Sequence, residues 1–155
     1  PVRTKTNNAH AYLGAPYGIY ETKNGYLALA MGSIPVLASL LQCDELLQFP
    51  ENKFTLRDEI KNILASHLLT QETQFWLDIL EPADIWCAGV LNYEQLFKED
   101  GFKVLEFTQQ VEMLDGYSYK TTRCSIKIDG EYFTSTKGSP KLGQDNERII
   151  NEFIA

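Results

Sequence analysis

The first part of the chain passes from a strand pattern to a helical pattern. Residues 17–22 and 26–31 flank the tripeptide Lys23-Asn24-Gly25, and Asn-Gly favours a tight hairpin turn because both residues tolerate a positive φ. The second segment is apolar at almost every position, which predicts a strand covered on both faces. Ser33 then offers the N-cap of a helix whose apolar residues recur at helical spacing. These apolar residues are Ile34, Leu37, Leu40 and Leu41.

The middle of the chain has a helical pattern. A helix predicted after Thr55 has apolar residues along one side and polar residues along the other. The apolar side consists of Leu56, Ile60, Ile63, Leu64 and Leu68, and the polar side of Arg57, Asp58, Glu59, Lys61 and Asn62. A further helix starts after Thr70 and ends at Glu81-Pro82, because proline stops a helix.

A short strand and another helix follow. Residues 84–90 form an apolar run that predicts a buried strand, in which Trp86 and Cys87 pack in the core. Asn92 is positioned to cap a helix that ends near Asp100-Gly101, since glycine suits the left-handed C-terminal position.

From Phe107 onward the apolar residues alternate with a period of two. Residues 110–114 and 117–122 flank Asp115-Gly116, and residues 125–128 and 131–135 flank Asp129-Gly130. Both dipeptides are typical of hairpin turns. A polar stretch then leads to a last short helix that contains Ile149, Ile150 and Phe153. The pattern predicts an α+β fold, with antiparallel hairpins and a helical middle segment.

Length and charge narrow the functional classes. The chain has 155 residues, a mass of 17.6 kDa and a formal net charge of −7, which suits one domain with or without a tail. Because a surface with this negative charge repels phosphate backbones and anionic lipids, we expect neither nucleic acid nor a membrane as partner. Three widely spaced cysteines argue against a disulfide framework and favour a reducing, cytoplasmic location.

Spacing alone identifies no active site. The two histidines, His10 and His67, and the three cysteines form no metal-binding motif, so we expect no metal. His67 lies beside an apolar helix stripe, which favours a structural imidazole. Each cysteine is interpreted as core packing, because no basic residue except Arg123 beside Cys124 lowers a thiol pKa. We therefore predict no catalytic residue from spacing.

Four segments, in order, resemble the C-terminal portion of the class III CoA-transferases, the CaiB/BaiF family. They are residues 14–30 (GAPYGIYETKNGYLALA), 84–91 (DIWCAGVL), 121–130 (TTRCSIKIDG) and 138–146 (GSPKLGQDN). The chain departs from the family pattern at three points. Gly89 and Ser125 stand where proline is usual, and Gln144-Asp145-Asn146 replaces Glu-His-Thr.

The resemblance implies a small α+β domain over residues 16–136, after a lead-in loop (1–15) and before a C-terminal return segment with a short helix (137–155). It further implies an N-terminal large domain as partner and a second subunit in an interlocked homodimer. In the family an aspartate of the large domain attacks the acyl-CoA thioester. No residue here matches that aspartate, so we expect this chain to be inactive alone. No tightly bound cofactor is implied; the coenzyme A thioester is the substrate of the full-length enzyme.

The loop before the hairpin supplies the substrate-loop candidates. In the family this loop is often glycine-rich and closes over the active site. The matching residues here are 10–16, and the candidates are His10, Gly14 and the adjacent Tyr17. Gly14 permits either a close backbone approach to substrate or a plain turn.

Two alternatives remain open. The first is an α-methylacyl-CoA racemase, which has the same fold. The racemases have an acidic residue shortly after the hairpin, whereas residues 32–35 of this chain (GSIP) contain none. A non-catalytic α+β binding module is the other alternative, because every apparent site also has a structural interpretation.

Overall fold

The computed structural model describes residues 3, 5, 10–49 and 54–154. The chain divides into two compact units, unit 1 (Pro1–Asn92) and unit 2 (Tyr93–Ala155). Each unit combines helices with antiparallel strands, so the predicted α+β class is confirmed. The boundaries predicted at residues 15 and 136 stay a prediction.

Unit 1 contains a three-stranded antiparallel sheet in the order β1-β2-β3. Its strands are β1 (Gly18–Thr22), β2 (Gly25–Leu29) and β3 (Cys87–Gly89). The predicted hairpin is confirmed, with Thr22 opposite Gly25. Neither Asn24 nor Gly25 has a positive φ, so the reason given for this turn is wrong. The side-chain oxygen of Asn24 instead accepts a hydrogen bond from the backbone amide of Thr73, the first residue of a helix.

Three helices cover one face of this sheet. They are α1 (Ile34–Leu41), α2 (Arg57–Leu68) and α3 (Thr73–Leu80). Short 3-10 helices lie at Asp44–Gln48, Phe54–Leu56 and Glu81–Ala83. Ser33 occupies the predicted N-cap of α1, although its side chain makes no capping hydrogen bond. The core lies between helices and sheet, where Tyr20 and Leu27 are buried with Ile34, Leu37, Ile60 and Leu64.

The polar side predicted for α2 is wrong at two positions. Arg57 and Lys61 are 4% and 1% exposed, whereas Ile63 is only half-buried. The buried face of α2 is thus rotated toward Arg57 and Lys61 relative to the apolar stripe. Burial of the aliphatic stems accounts for much of this packing. The charged end of Arg57 donates from Nη1 to the Phe54 carbonyl at 2.7 Å and lies 4.1 Å from the centre of the Phe54 ring.

The opposite, outer face of the sheet is exposed, which corrects two predictions. The strand at residues 84–90 is shorter than expected, and Trp86 just before it is 77% exposed. Tyr26 of β2 is 50% exposed, so β2 is not covered on both faces. The apolar runs predicted two covering layers, and the described helices of unit 1 supply only one.

The described part of unit 2 contains three helices and two hairpins. Helices α4 (Tyr93–Leu96) and α5 (Asp100–Val104) precede the hairpin of β4 (Thr108–Glu112) and β5 (Ser118–Thr122). The short hairpin of β6 (Lys127–Ile128) and β7 (Glu131–Tyr132) and then α6 (Asn146–Phe153) follow. Gly101 lies inside α5, so the single helix predicted to end there is wrong. The turn at Asp129-Gly130 is confirmed, with φ of 50° and 85°.

Arg123 organises the described part of unit 2. Its Nε donates to the Glu106 carbonyl at 2.7 Å, its Nη1 to the Cys124 carbonyl at 2.6 Å, and its Nη2 to the Leu105 carbonyl. Its guanidinium also lies 3.2 Å from the centre of the Tyr132 ring. Arg123 and Val111 are the buried side chains of unit 2 within the described residues. In the described part of unit 2, the hydrogen bonds and ring contact of the Arg123 guanidinium therefore take the place of a larger apolar core.

Candidate functional site

The outer face of the unit 1 sheet forms an apolar groove. Ile19, Ala28 and Ala88 are cross-strand neighbours on this face, and Ala30 comes directly after the middle strand. Ala28 and Ala30 present only methyl groups, and the larger side chains of Tyr17, Ile19 and Trp86 line the sides. The resulting trough has a volume of about 370 Å³.

The trough continues past the end of the strands. A second cavity of about 600 Å³ shares Tyr17, Ala30 and Trp86 with the first. Its remaining lining residues are Met31, Gly32, Asp84 and Ile85. We call the two cavities together the sheet groove. Its main walls are Tyr17 and Ile19 on the β1 side and Trp86 on the β3 side.

The sheet groove contains few groups that can do chemistry. Burial raises the pKa of the Cys87 thiol, and the Glu81 carboxylate raises it further, so the thiol is protonated near neutral pH and a poor nucleophile. Asp84 is exposed, has a left-handed backbone with φ of 57°, and donates its amide to the Glu81 carbonyl at 3.0 Å. No Lys, Arg or His is among the lining residues that the structure describes. The sheet groove is therefore suited to binding an apolar group.

The predicted substrate-loop residues lie in different places. Tyr17 is half-buried and lines both cavities. His10 is exposed, and its Nδ1 accepts a hydrogen bond of 3.1 Å from the Tyr12 amide. A Cβ atom on Gly14 would meet nothing within 4 Å, so no described neighbour requires glycine there. Neither His10 nor Gly14 lines the sheet groove, and the role of all three in substrate binding stays a prediction.

Sequence reasoning missed most of the sheet groove. The sequence pattern assigns Trp86 to the core and does not single out Ala28, Ala30, Met31 or Asp84 as site residues. The available signal was alternation, because residues 86 and 88 must face opposite to 87 and 89 in a strand. Tyr20, by contrast, is fully buried, and its hydroxyl donates to the Pro16 carbonyl at 2.6 Å.

Groups that hold a metal are not found in the described part of the chain: no three potential ligands cluster there. The His67 ring lies beside the core, with Nε2 2.8 Å from the Leu41 carbonyl and the ring centre 5.3 Å from that of Trp76. This is the structural imidazole expected from the sequence. Among the described helices, none combines the length and apolar character needed to cross a bilayer.

Comparison with known proteins places the chain in a family. The model of CoA-transferase family III matches residues 1–146. A search of curated protein sequences finds no match.

Two solved structures are similar in fold. The first is a CaiB/BaiF family protein from Brucella suis, with a TM-score of 0.64 and 22% identity over 94% of this chain and 39% of that one. The second is a point mutant of Rv3272 from Mycobacterium tuberculosis, with a TM-score of 0.61 and 16% identity over 87% of this chain and 39% of that one. The chain thus spans about two fifths of the length of these proteins. Identities this low establish the fold alone.

Proposed function

Since the chain belongs to CoA-transferase family III, we propose that it is the C-terminal part of an enzyme that transfers coenzyme A between an acyl-CoA and a carboxylic acid. The observation on which this rests is the family match, which extends across unit 1 and most of unit 2. The solved relatives are much longer than this chain. The proposal therefore includes an N-terminal large domain that supplies the catalytic aspartate.

The proposed reaction uses a carboxylate nucleophile. The aspartate oxygen attacks the thioester carbonyl, the carbon–sulfur bond breaks, and a mixed anhydride and a CoA thiolate result. The thiolate attacks the aspartyl carbonyl, which releases the first carboxylate and leaves an aspartyl-CoA thioester. The acceptor carboxylate then attacks this thioester, whose carbon–sulfur bond breaks, so that a second mixed anhydride forms and the CoA thiolate is released. The thiolate attacks the acyl carbon of the second anhydride and displaces the aspartate carboxylate. The product acyl-CoA leaves and the aspartate is restored.

The described residues support a nucleophile outside this chain. The raised thiol pKa of Cys87 and the exposed position of Asp84 make both poor candidates for attack on a thioester. Among the described residues, no Lys or His lines the sheet groove to assist them. We therefore propose that residues 1–155 shape the substrate site and are inactive on their own.

The exposed apolar surface of unit 2 supports the proposed partners. Ile149, Ile150 and Phe153 of α6 are 42%, 49% and 72% exposed. Contiguous apolar surface of this kind marks an interface. We propose that the N-terminal large domain and the second subunit of an interlocked homodimer cover this apolar surface. We further propose that the enzyme is located in the cytoplasm. The net charge of −7 supports the exclusion of nucleic acid and membranes as partners.

The test is to trap the covalent intermediate. A longer polypeptide that contains this chain is incubated with an acyl-CoA, treated with borohydride or hydroxylamine, digested and analysed by mass spectrometry. We expect the modified aspartate outside residues 1–155, and no CoA transfer by the 155-residue chain. A modified Asp84, abolished by Asp84→Asn, or transfer by the chain alone would contradict the proposal.

The same polypeptide separates the alternatives. A racemase would exchange the α-hydrogen of a 2-methylacyl-CoA with deuterium from solvent and would not move CoA between acids. A binding module would do neither.

A further inference from the structure

The sheet groove has the size and shape of a site for an extended aliphatic chain. Its two cavities, of about 370 and 600 Å³, fall in the range of small-molecule pockets. The floor consists of the methyl groups of Ala28, Ala30 and Ala88, with the aromatic ring of Tyr17 and the Trp86 indole beside it. A chain laid along this floor covers apolar surface that is otherwise in contact with water.

The charge of the lining is one-sided. Among the described residues, Asp84 is the one charged side chain that lines the sheet groove, and no Lys, Arg or His of that part of the chain accompanies it. A carboxylate that enters an apolar site without a cation loses its hydration without compensation. It also meets the like charge of Asp84 at the wider cavity.

We propose that the sheet groove binds the uncharged acyl chain of a thioester, and that Asp84 disfavours acyl groups with a second carboxylate. The identification of the ligand as an acyl group rests on the proposed function. Binding itself does not, because the lining belongs entirely to unit 1. The competing occupant is a segment of the longer polypeptide, which the experiments below separate from an acyl chain.

The two tryptophans of the chain give a direct optical test. Trp86 is 77% exposed, whereas Trp76 is 3% exposed and donates its Nε1 hydrogen to the Leu68 carbonyl at 2.8 Å. A ligand in the sheet groove therefore changes the emission of Trp86 and leaves that of Trp76 unchanged. The probes are N-acetylcysteamine thioesters of octanoic acid and of succinic acid, which lack the nucleotide of CoA.

Titration of the 155-residue chain is expected to shift the emission to the blue with the octanoyl thioester. The succinyl thioester should bind at least about tenfold more weakly, which corresponds to about 1.4 kcal/mol. Absence of a shift with the octanoyl thioester into the millimolar range, or equal binding of both probes, would overturn the proposal.

Matched variants assign the shift to the sheet groove. Ala30→Leu fills the floor and should weaken octanoyl binding about tenfold, while Ala65→Leu, on the exposed side of α2, should leave it unchanged. Asp84→Asn keeps a side chain that tolerates the left-handed backbone and should recover the part of the lost affinity for the succinyl probe that repulsion between the two carboxylates causes. Equal weakening by both alanine variants would place binding elsewhere.

The longer polypeptide distinguishes failure of this inference from failure of the proposed function. There Ala30→Leu should raise KM for octanoyl-CoA about tenfold and leave KM for acetyl-CoA unchanged. If CoA transfer is retained and both KM values are unchanged, the proposed function stands and the inference is wrong. A segment of the longer polypeptide would then occupy the sheet groove.

Discussion

The side-chain oxygen of Asn24 accepts a hydrogen bond of 2.9 Å from the backbone amide of Thr73. Asn24 is part of the β1–β2 turn, and Thr73 is the first residue of α3. The residue before α3, Glu72, makes no side-chain capping bond. The hairpin turn therefore caps a helix 49 residues away in the sequence, and the Thr22 hydroxyl, 2.7 Å from that of Thr73, strengthens the link.

Removal of this cap should destabilise unit 1. Asn24→Ala is expected to lower the free energy of unfolding by about 1 kcal/mol, as loss of an N-cap does, because the Thr73 amide loses its partner. Urea denaturation followed by circular dichroism measures the change. Asn62→Ala, the same substitution at an exposed position of α2, is the control and should change little. Equal stability of the two variants would show that the contact contributes nothing.

Asn24 also shows where sequence reasoning succeeds and where it ends. Asp129-Gly130 marks a turn because both residues adopt the positive φ that such a pair tolerates. The Asn-Gly pair also marks a turn, although neither Asn24 nor Gly25 has a positive φ. The bond from Asn24 to Thr73 depends on the packing of α3 against the sheet. No local pattern contains that information.

The errors in α2 and around Trp86 have one physical cause. Hydrophobic periodicity identifies an element, but which face is buried depends on the neighbours that fold against it. Lys61 is buried because α2 packs with that face on the rest of unit 1, and Trp86 is exposed because the described helices cover one side of the sheet. The sheet groove could be predicted only after the strand register was known.

Burial of Lys61 should make stability depend on pH. Its Nζ has no hydrogen-bond partner among the described residues. Burial lowers its pKa, Asp58 partly offsets this effect, and Arg57 adds to it. The unfolded chain, with a lysine pKa of about 10.4, thus binds more protons in the window between the two pKa values. Stability should rise with pH through that window.

Lys61→Met tests this account. The variant should be more stable than the parent at pH 7 by about 1 to 3 kcal/mol, the cost of an unsatisfied buried polar group, and the advantage should shrink as pH rises toward 10. Urea denaturation at several pH values measures both effects. Lys23→Met, at an exposed position of unit 1, should show neither. A destabilised Lys61→Met variant would contradict the account.

Arg123 should be indispensable to unit 2. Arg123→Lys keeps the charge but loses the planar group that bonds to three backbone carbonyls. We expect the free energy of unfolding of unit 2 to fall by at least about 2 kcal/mol, since hydrogen bonds from charged donors contribute about 1.5 to 3 kcal/mol each. Hydrogen exchange of the β4 and β5 amides measures it. Arg148→Lys, on the exposed side of α6, should leave this exchange unchanged; equal protection in both variants would refute the role.

Substitution of alanine for each of two glycines, Gly138 and Gly101, should change the stability of unit 2 in opposite directions. A Cβ atom on Gly138 would lie 2.6 Å from the Met113 sulfur and 2.8 Å from the Glu112 carbonyl oxygen, whereas one on Gly101 meets nothing within 4 Å. Gly138→Ala should therefore destabilise unit 2. Gly101→Ala, within α5, should stabilise it by about 0.5 to 1 kcal/mol. Thermal unfolding compares the two, and a change of the same sign in both would contradict the packing described around Gly138.

We propose that the nucleotide site and the nucleophile of the transferase lie outside these residues. Isothermal titration of the 155-residue chain with free CoA and with acetyl-CoA tests this proposal. We predict no heat of binding for either ligand, because the described residues of the sheet groove offer no cation to a phosphate and an acetyl group is too short to fill the groove. Micromolar binding of free CoA would show that CoA contacts lie within residues 1–155 and would contradict the claim.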